Sequence, residues 1–257
     1  MKLRLHPRLF FLVTLLALAA FPFAASADHS WGNYHWARTS NPFTLKLGDN
    51  VSSAWDSYLS TTSSDWSKSS VLDTTIVPGS GSKNGRPTKG RVEVFNRAYG
   101  PNGWLGLAQI WVSGSHITQA TAKVNDTYFN NPPYNTSAWK NLVMCQEVGH
   151  TFGLDHQDEN FNNPNLGTCM DYTSDPDGPP SNEHPNQHDY DQLETIYSHL
   201  DSTTTVGAMP VGMANGEFDA PNQWGKVVRT LNNGRSSLYE RDFGGGYKVF
   251  TFVYWAE

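Results

Sequence analysis

The feature that most constrains this chain of 257 residues is a run of twelve residues, CQEVGHTFGLDH. Two side chains four positions apart on a helix share one face, so Gln146 and His150 can point at the same centre. Gly153 can then turn the chain through a left-handed conformation, which lets His156 return to that centre from outside the helix. Glu147 follows the first of these positions, where a carboxylate can take a proton from a metal-bound water. The run therefore predicts a helix that ends in a metal site.

This run resembles the signature of the metzincin zinc proteases, H-E-x-x-H-x-x-G-x-x-H, with Gln in the first position. Metzincins also carry a methionine turn (Met-turn) beneath the metal, and the residues CMDY stand where it is expected, with Met170 fourteen residues past His156. The resemblance implies that Tyr172 lies near the metal, as an extra ligand or as a donor to the developing oxyanion. It is specific over residues 145–172 and rests on element order across residues 40–200.

The resemblance implies a secreted metallo-endopeptidase that acts on a protein or peptide and hydrolyses peptide bonds with metal-activated water. Three side chains are the implied metal ligands: Gln146, His150 and His156. Glu147 would serve as general base and then as acid towards the leaving amine, and Tyr172 would stabilise the tetrahedral intermediate. The family's metal is Zn²⁺, with copper as an alternative. The substrate backbone is expected to pair with an edge strand at Gly106–Ile110.

Gln146 departs from the family pattern, because an amide oxygen is a weaker zinc ligand than an imidazole. Some gametolysin-like metzincins also carry Gln here. Three interpretations remain open: Gln146 binds the metal through its side-chain oxygen, another histidine completes the site, or the protein is a catalytically inactive binding protein on the same fold. The candidate replacement ligands are His116, His184 and His188. Retention of Glu147 favours an active enzyme, since a pure scaffold has no need of a carboxylate beside the metal.

Because the metal helix and the Met-turn lie close together in metzincins, the resemblance also implies a disulfide between Cys145 and Cys169. The alternative is two buried thiols. Calcium binding stays open: no EF-hand spacing is present, and a solvated acidic loop is the simpler interpretation of the candidate carboxylates. These are Asp155, Asp158, Glu159, Asp175 and Asp177.

The first 27 residues have the three parts of a secretory signal peptide. Lys2, Arg4 and Arg8 precede an apolar run over residues 9–20, and Ala-Ser-Ala at residues 25–27 is a cleavage site. The run is shorter than the roughly 20 residues of a transmembrane helix, so we expect export and no membrane attachment after cleavage. Removal of three positive charges leaves 15 basic against 24 acidic residues, a net charge of −9. This excess argues against nucleic-acid binding, and we expect a monomer.

Periodicity predicts an α+β fold with three helices, the second of which carries the metal motif, and the resemblance implies that its mixed sheet is twisted as in metzincins. The predicted helices cover residues 52–68, 136–153 and 187–200. The predicted strands cover residues 43–51, 71–77, 91–96, 105–112, 117–124, 226–231, 236–240 and 247–255. We therefore divide the chain into a signal peptide (1–27), a metzincin-like catalytic domain (28–200), and a linker with a small β-rich C-terminal extension packed on that domain (201–257).

Overall fold

The computed structural model describes residues 29–82, 85–207, 216–231 and 233–256. The predicted signal peptide lies outside the described residues. Nine strands are present within them: β1 (His35–Trp36), β2 (Phe43–Asn50), β3 (Leu72–Pro78), β4 (Val92–Arg97), β5 (Trp104–Ser113), β6 (His116–Asn125), β7 (Lys226–Thr230), β8 (Ser236–Asp242) and β9 (Tyr247–Trp255). The α-helices of the same residues are α1 (Asp56–Trp66), α2 (Asp126–Phe129), α3 (Ser137–His150) and α4 (Gln187–Ile196).

All these strands belong to one mixed sheet, in the order β3-β2-β4-β6-β5-β9-β8-β7, with β1 paired to the start of β6. The first half of the sheet is parallel, from β3 across β2 and β4 to β6. From β5 onwards every pairing is antiparallel. The α+β prediction is confirmed at this level, because the parallel crossovers and the antiparallel half share one sheet with helices packed on it.

The strand predictions agree with the structure to within one or two residues at most ends, and the helix predictions need correction. Helix α1 begins at Asp56 rather than at residue 52, and α3 ends at His150 rather than at residue 153. The last main helix ends at Ile196 rather than at residue 200. The additional short helix α2 follows β6, where the side chain of Asn125 accepts a hydrogen bond from the backbone N–H of Thr127 and caps its first turn.

The C-terminal strands do not form a separate unit packed on the rest of the chain. They continue the main sheet, since β9 pairs along the whole of β5 and then carries β8 and β7 outwards. The expectation of an open edge at Gly106–Ile110 is therefore wrong. These residues lie opposite Phe250–Tyr254 on one side and β6 on the other, so β5 is an interior strand.

Helices α1 and α3 pack against each other, and α3 also contacts β5, β6 and β9. Between them and the sheet lies the main core, which includes Trp66, Leu142 and Phe252. The opposite face of β5 and β9 is covered by a smaller cluster that includes Trp111 and Trp224. None of the helices within the described residues combines the length and the apolar composition that a membrane crossing requires.

Helix α3 begins at its predicted N-cap and ends at His150, three residues before Gly153. Thr136 is its N-cap, and the Thr136 hydroxyl accepts a hydrogen bond from the backbone N–H of Trp139. Beyond the last turn, Gly153 has a φ of 97°, a conformation that favours glycine. A Cβ at Gly153 would also collide with the backbone oxygen of Tyr34. The packing of the N-terminal segment therefore also requires glycine at this position.

Candidate metal centre

The imidazoles of His150 and His156 meet edge to face, with their Nε2 atoms 2.9 Å apart and their ring planes at 89°. His150 comes from the last turn of α3, and His156 comes from the loop that follows Gly153. Both rings are buried, with 1% and 7% of the residue exposed. The turn at Gly153 thus brings together the two histidines of the motif as the sequence predicts.

The outer nitrogens of both rings are engaged, and their partners fix the tautomers. His150 Nδ1 lies 2.9 Å from the backbone oxygen of Leu154, which can only accept, so this nitrogen carries the proton. His156 Nδ1 lies 2.8 Å from Glu159 Oε1. Although burial opposes it, His156 and Arg229 lower the pKa of Glu159 to about 2, so the carboxylate is ionised and accepts. In their neutral forms the two rings therefore present lone pairs to each other at Nε2.

Burial and the neighbouring His156 both lower the pKa of His150 well below its ordinary value. Two facing lone pairs at 2.9 Å repel unless a cation lies on them. A metal ion bound by both Nε2 atoms removes this repulsion, and the carbonyl and carboxylate on the outer nitrogens are the usual second-shell partners of metal-binding histidines.

Gln146 lies one helical turn before His150 and is completely buried. Its side-chain nitrogen donates to the backbone oxygen of Cys169 at 2.7 Å, which fixes the orientation of the amide. The amide oxygen Oε1 is buried without a hydrogen-bond partner among the described residues. A buried acceptor of this kind costs stability when unsatisfied, so the residue fits the role of a third ligand through Oε1.

Glu147 lies on α3 beneath strand β5 and is 1% exposed. Neither of its oxygens makes a hydrogen bond of normal geometry to a described residue. Burial raises the pKa of Glu147 well above its ordinary value, and the backbone N–H of Ala108 opposes this shift only in part. Gly106 makes room for the carboxylate, because a Cβ there would overlap Glu147 Oε1.

Met170 lies directly against the helix that carries the motif. A Cβ added at Gly149 would be 2.7 Å from Met170 Sδ and 2.8 Å from the Trp66 ring. The absence of a side chain at Gly149 therefore lets the turn around Met170 approach α3. The predicted disulfide between Cys145 and Cys169 is confirmed, with the two Cα atoms 5.9 Å apart, and it joins this turn covalently to the helix.

Tyr172 packs on the ring of His156, with ring centroids 4.4 Å apart, so the structure places it beside the histidine pair as expected. Its hydroxyl donates to the backbone oxygen of Val253 at 3.1 Å. Burial raises the pKa of Tyr172 well above its ordinary value, so it stays a neutral donor. The hydroxyl that was expected to face a substrate is thus hydrogen-bonded to the backbone of strand β9.

Strand β9 covers the rest of the site as well. The ring of Phe252 stacks on His150, with centroids 4.3 Å apart and planes at 11°, and Phe252 is completely buried. Arg229 on β7 binds Asp155 at 2.5 Å and Glu159 at 2.9 Å, and Glu159 orients His156. Sequence reasoning missed Phe252 and Arg229, because nothing local marks a contact with residues that lie 70 to 102 positions earlier in the chain.

The three candidate replacement ligands have partners elsewhere. His116 lies 3.2 Å from Asp201, and His184 lies 2.6 Å from Asp65. His188 stacks on His29, with ring centroids 4.8 Å apart. The described contacts of these three histidines therefore lie with other residues and not with His150 or His156.

The acidic loop after the motif gives no support to calcium binding. Asp155, His156 and Glu159 are close enough together to hold an ion. The guanidinium of Arg229, however, already binds both carboxylates. One positive charge therefore already offsets part of their negative charge within the protein.

Comparison with known proteins adds no relative to these observations. No protein-family model matches the chain, and no curated protein matches it with significant similarity. The assignment of function consequently depends on the geometry described above.

Proposed function

We propose that this chain is a metal-dependent endopeptidase of metzincin type, held in a closed form by its own C-terminal strand. The observation that carries the proposal is the pair of buried Nε2 atoms of His150 and His156, 2.9 Å apart with both outer nitrogens engaged. Gln146 Oε1, buried and unpartnered, supplies the third ligand. Zn²⁺ suits this set of two imidazoles and one oxygen, and copper remains an alternative that metal analysis distinguishes.

When bound, the metal would polarise the scissile carbonyl and lower the pKa of a water molecule. Glu147 would serve as the base that accepts a proton from the attacking water and as the acid that returns it to the leaving amine, and burial raises the pKa of Glu147, which favours proton uptake. The Tyr172 hydroxyl, once released from Val253, donates to the developing oxyanion.

The order of elements also supports the metzincin interpretation. A twisted mixed sheet lies over two packed helices, the second helix carries the motif, and a turn with Met170 lies beneath it. The disulfide between Cys145 and Cys169 agrees with the predicted export, because such bonds persist in oxidising compartments.

Strand β9 occupies the position that a peptide substrate would need. It pairs antiparallel with Gly106–Ile110, covers His150 with Phe252, and accepts the Tyr172 hydroxyl on its backbone. Peptide substrates that add to a sheet edge use the same backbone groups. Turnover in this protein therefore requires β9 to leave β5, and the closed form is latent.

The second candidate function is a non-catalytic binding protein on the same fold. The observation that favours it is the complete burial of Gln146 and the near-complete burial of Glu147 and His150 under strands of the protein itself. A centre that never opens would serve structure alone. The two candidates differ in whether an opened form hydrolyses peptides.

The test measures metal content and hydrolysis of a casein-type substrate. It compares the mature protein with Phe252→Ala, which should open the site, and it adds Glu147→Gln to each of these two backgrounds. Glu194→Gln is the matched control, because it removes the same charge from an exposed glutamate on α4 that binds Ser70. Metal at the motif is the portion lost in His150→Ala.

We expect zinc at the motif, low turnover in the mature protein, higher turnover in Phe252→Ala, and loss of that turnover with Glu147→Gln but not with Glu194→Gln. If zinc is bound at the motif and neither background hydrolyses the substrate, the peptidase hypothesis is wrong and the binding-protein hypothesis stands. An unchanged metal content in His150→Ala would show that the motif binds no metal.

A further inference from the structure

A second convergence of ligand atoms lies apart from the metal centre. It joins three imidazoles and one carboxylate that the motif does not include. His35 is on β1, His116 is the first residue of β6, and His199 and Asp201 follow helix α4. Three segments that are distant in the sequence therefore meet at this cluster.

The ligand atoms of His35, His116 and Asp201 all lie within 4.8 Å of one another, and His199 joins them through its contacts with His35 and Asp201. Asp201 Oδ1 lies 3.4 Å from His35 Nε2, 3.2 Å from His116 Nε2 and 3.8 Å from His199 Nε2. The Nε2 atoms of His35 and His199 are 3.1 Å apart. Ligands held at about 2.0–2.1 Å from a tetrahedral zinc ion are about 3.3 Å from one another. The observed separations lie on both sides of this value.

The proton positions of the cluster also suit a cation. His35 Nδ1 lies 2.6 Å from the backbone oxygen of Asn33, which can only accept, so Nδ1 carries the proton and Nε2 presents a lone pair to the cluster. The neutral imidazole of His35 cannot then donate to Asp201, although its Nε2 lies 3.4 Å from that carboxylate. A metal ion between the two acceptors satisfies both of them.

The carboxylate of Asp201 is oriented from its far side. Its Oδ2 accepts the backbone N–H of Arg38 at 3.1 Å and the guanidinium of Arg38 at 2.9 Å. Arg38 is buried and is itself held by Asn41 at 3.2 Å. This arrangement leaves Oδ1 directed at the imidazoles, as an outer partner does for a metal-binding carboxylate.

We propose that His35, His116, His199 and Asp201 form a structural zinc site that is separate from the catalytic metal. Four protein ligands fill a tetrahedral ion and leave no position for substrate, which is the mark of a structural site. The site ties β1 to the start of β6 and to the segment after α4. His116 and His199, with 34% and 51% of the side chain exposed, provide the path of entry for the ion.

The test counts zinc per chain after stripping with a chelator and reloading with ZnCl₂ in excess, followed by desalting. Four single variants are compared with the mature protein: His116→Ala, His199→Gln, His150→Ala and His184→Ala. His184, which is exposed and binds Asp65, is the matched control for loss of a histidine. His199 is half exposed, so its replacement leaves the fold intact even where the loss of His116 does not.

We expect two zinc ions per chain in the mature protein and in His184→Ala, and one in His150→Ala and in His116→Ala. His199→Gln should lose at least tenfold in affinity for one of the two ions. Zinc should raise the melting temperature of His150→Ala, and this rise should disappear when His116→Ala is added. Cobalt loaded into His150→Ala should show the intense visible absorption of tetrahedral coordination.

A chain that binds one zinc, lost in His150→Ala and retained in both His116→Ala and His199→Gln, would overturn the second site and leave the catalytic centre standing. The reverse pattern, one zinc that depends on His116 and His199 but not on His150, would establish the second site while the proposed peptidase fails.

Discussion

Replacing Phe252 by alanine is the sharpest way to ask whether strand β9 closes an active centre. Phe252 is completely buried, lies opposite Ala108 on β5 and opposite Leu238 on β8, and stacks on His150. Its removal weakens the docking of β9 at the point where that strand covers the His150 ring. The variant should therefore open the site more often than the mature protein does.

The size of the effect follows from the burial of the ring. Replacing a fully buried Phe by Ala costs about 3–5 kcal/mol. If β9 has to leave before substrate enters, the substitution lowers the free energy of opening by up to this amount, and the population of the open form rises accordingly. Since about 1.4 kcal/mol corresponds to a factor of ten, the lower end of the range corresponds to a rise in turnover of up to about 100-fold.

Phe95→Ala is the matched control for the loss of stability. Phe95 is also completely buried, but it lies on β4, which pairs with β2 and β6 and not with β9. Both variants should unfold at lower denaturant concentrations. Hydrogen exchange of the β9 amides should speed up in Phe252→Ala far more than in Phe95→Ala, and peptide hydrolysis should follow the exchange.

Two results would refute this reasoning. Equal turnover in both variants would show that any activity comes from general loosening and not from the release of β9. Faster exchange in β9 of Phe252→Ala without any hydrolysis would show that the opened centre has no catalytic power, as the binding-protein alternative requires.

Three further predictions concern stability. Replacing both Cys145 and Cys169 by alanine should lower the free energy of unfolding by about 3–4 kcal/mol in urea titrations, because the disulfide closes a loop with a sequence separation of 24; an unchanged midpoint would contradict this. Gly149→Ala should cost about 1–3 kcal/mol by thermal unfolding, because its Cβ would be 2.7 Å from Met170 Sδ. Burial raises the pKa of Asp189 to about 6 in the folded protein. Because the unfolded chain loses this proton at a lower pH than the folded protein does, the free energy of unfolding should be highest at low pH and should fall as the pH rises from about 4 through 6. Urea unfolding across this range should show a shallower fall in Asp189→Asn, and parallel curves would contradict the shift.

The sequence predicts the local parts of the site well because each depends on residues close to one another. The four-residue spacing of Gln146 and His150 requires only a helix, and the return of His156 requires only the turn at Gly153. The strand boundaries follow in the same way from alternation and from turn residues. Disulfide formation between Cys145 and Cys169 rested on a resemblance, and the structure confirms it.

The pairing of β9 with β5 escapes this kind of reasoning, because partners in a sheet are chosen by contacts between distant parts of the chain. One signal was present. The segment YKVFTFVYW is almost continuously apolar, and six of its nine residues are buried in succession. Such a run is typical of a strand covered on both faces and paired on both edges, rather than of an extension on the surface. Strand β5 carries the same sign, because nine of its ten residues are buried in succession, but neither run indicates which strand lies beside it.

The C-terminal strands both close the centre and help to build it. Phe252 packs on His150, and Arg229 binds Glu159, which holds the proton of His156 on the outer nitrogen. A metal ion bound to both histidines would fix the surfaces on which Phe252 and Arg229 dock. Metal binding and strand docking must then strengthen each other by the same factor. Chelation should therefore speed hydrogen exchange in β9, while exchange in β2, far across the sheet, stays constant. Equal exchange in β9 with and without metal would separate closure from the metal centre.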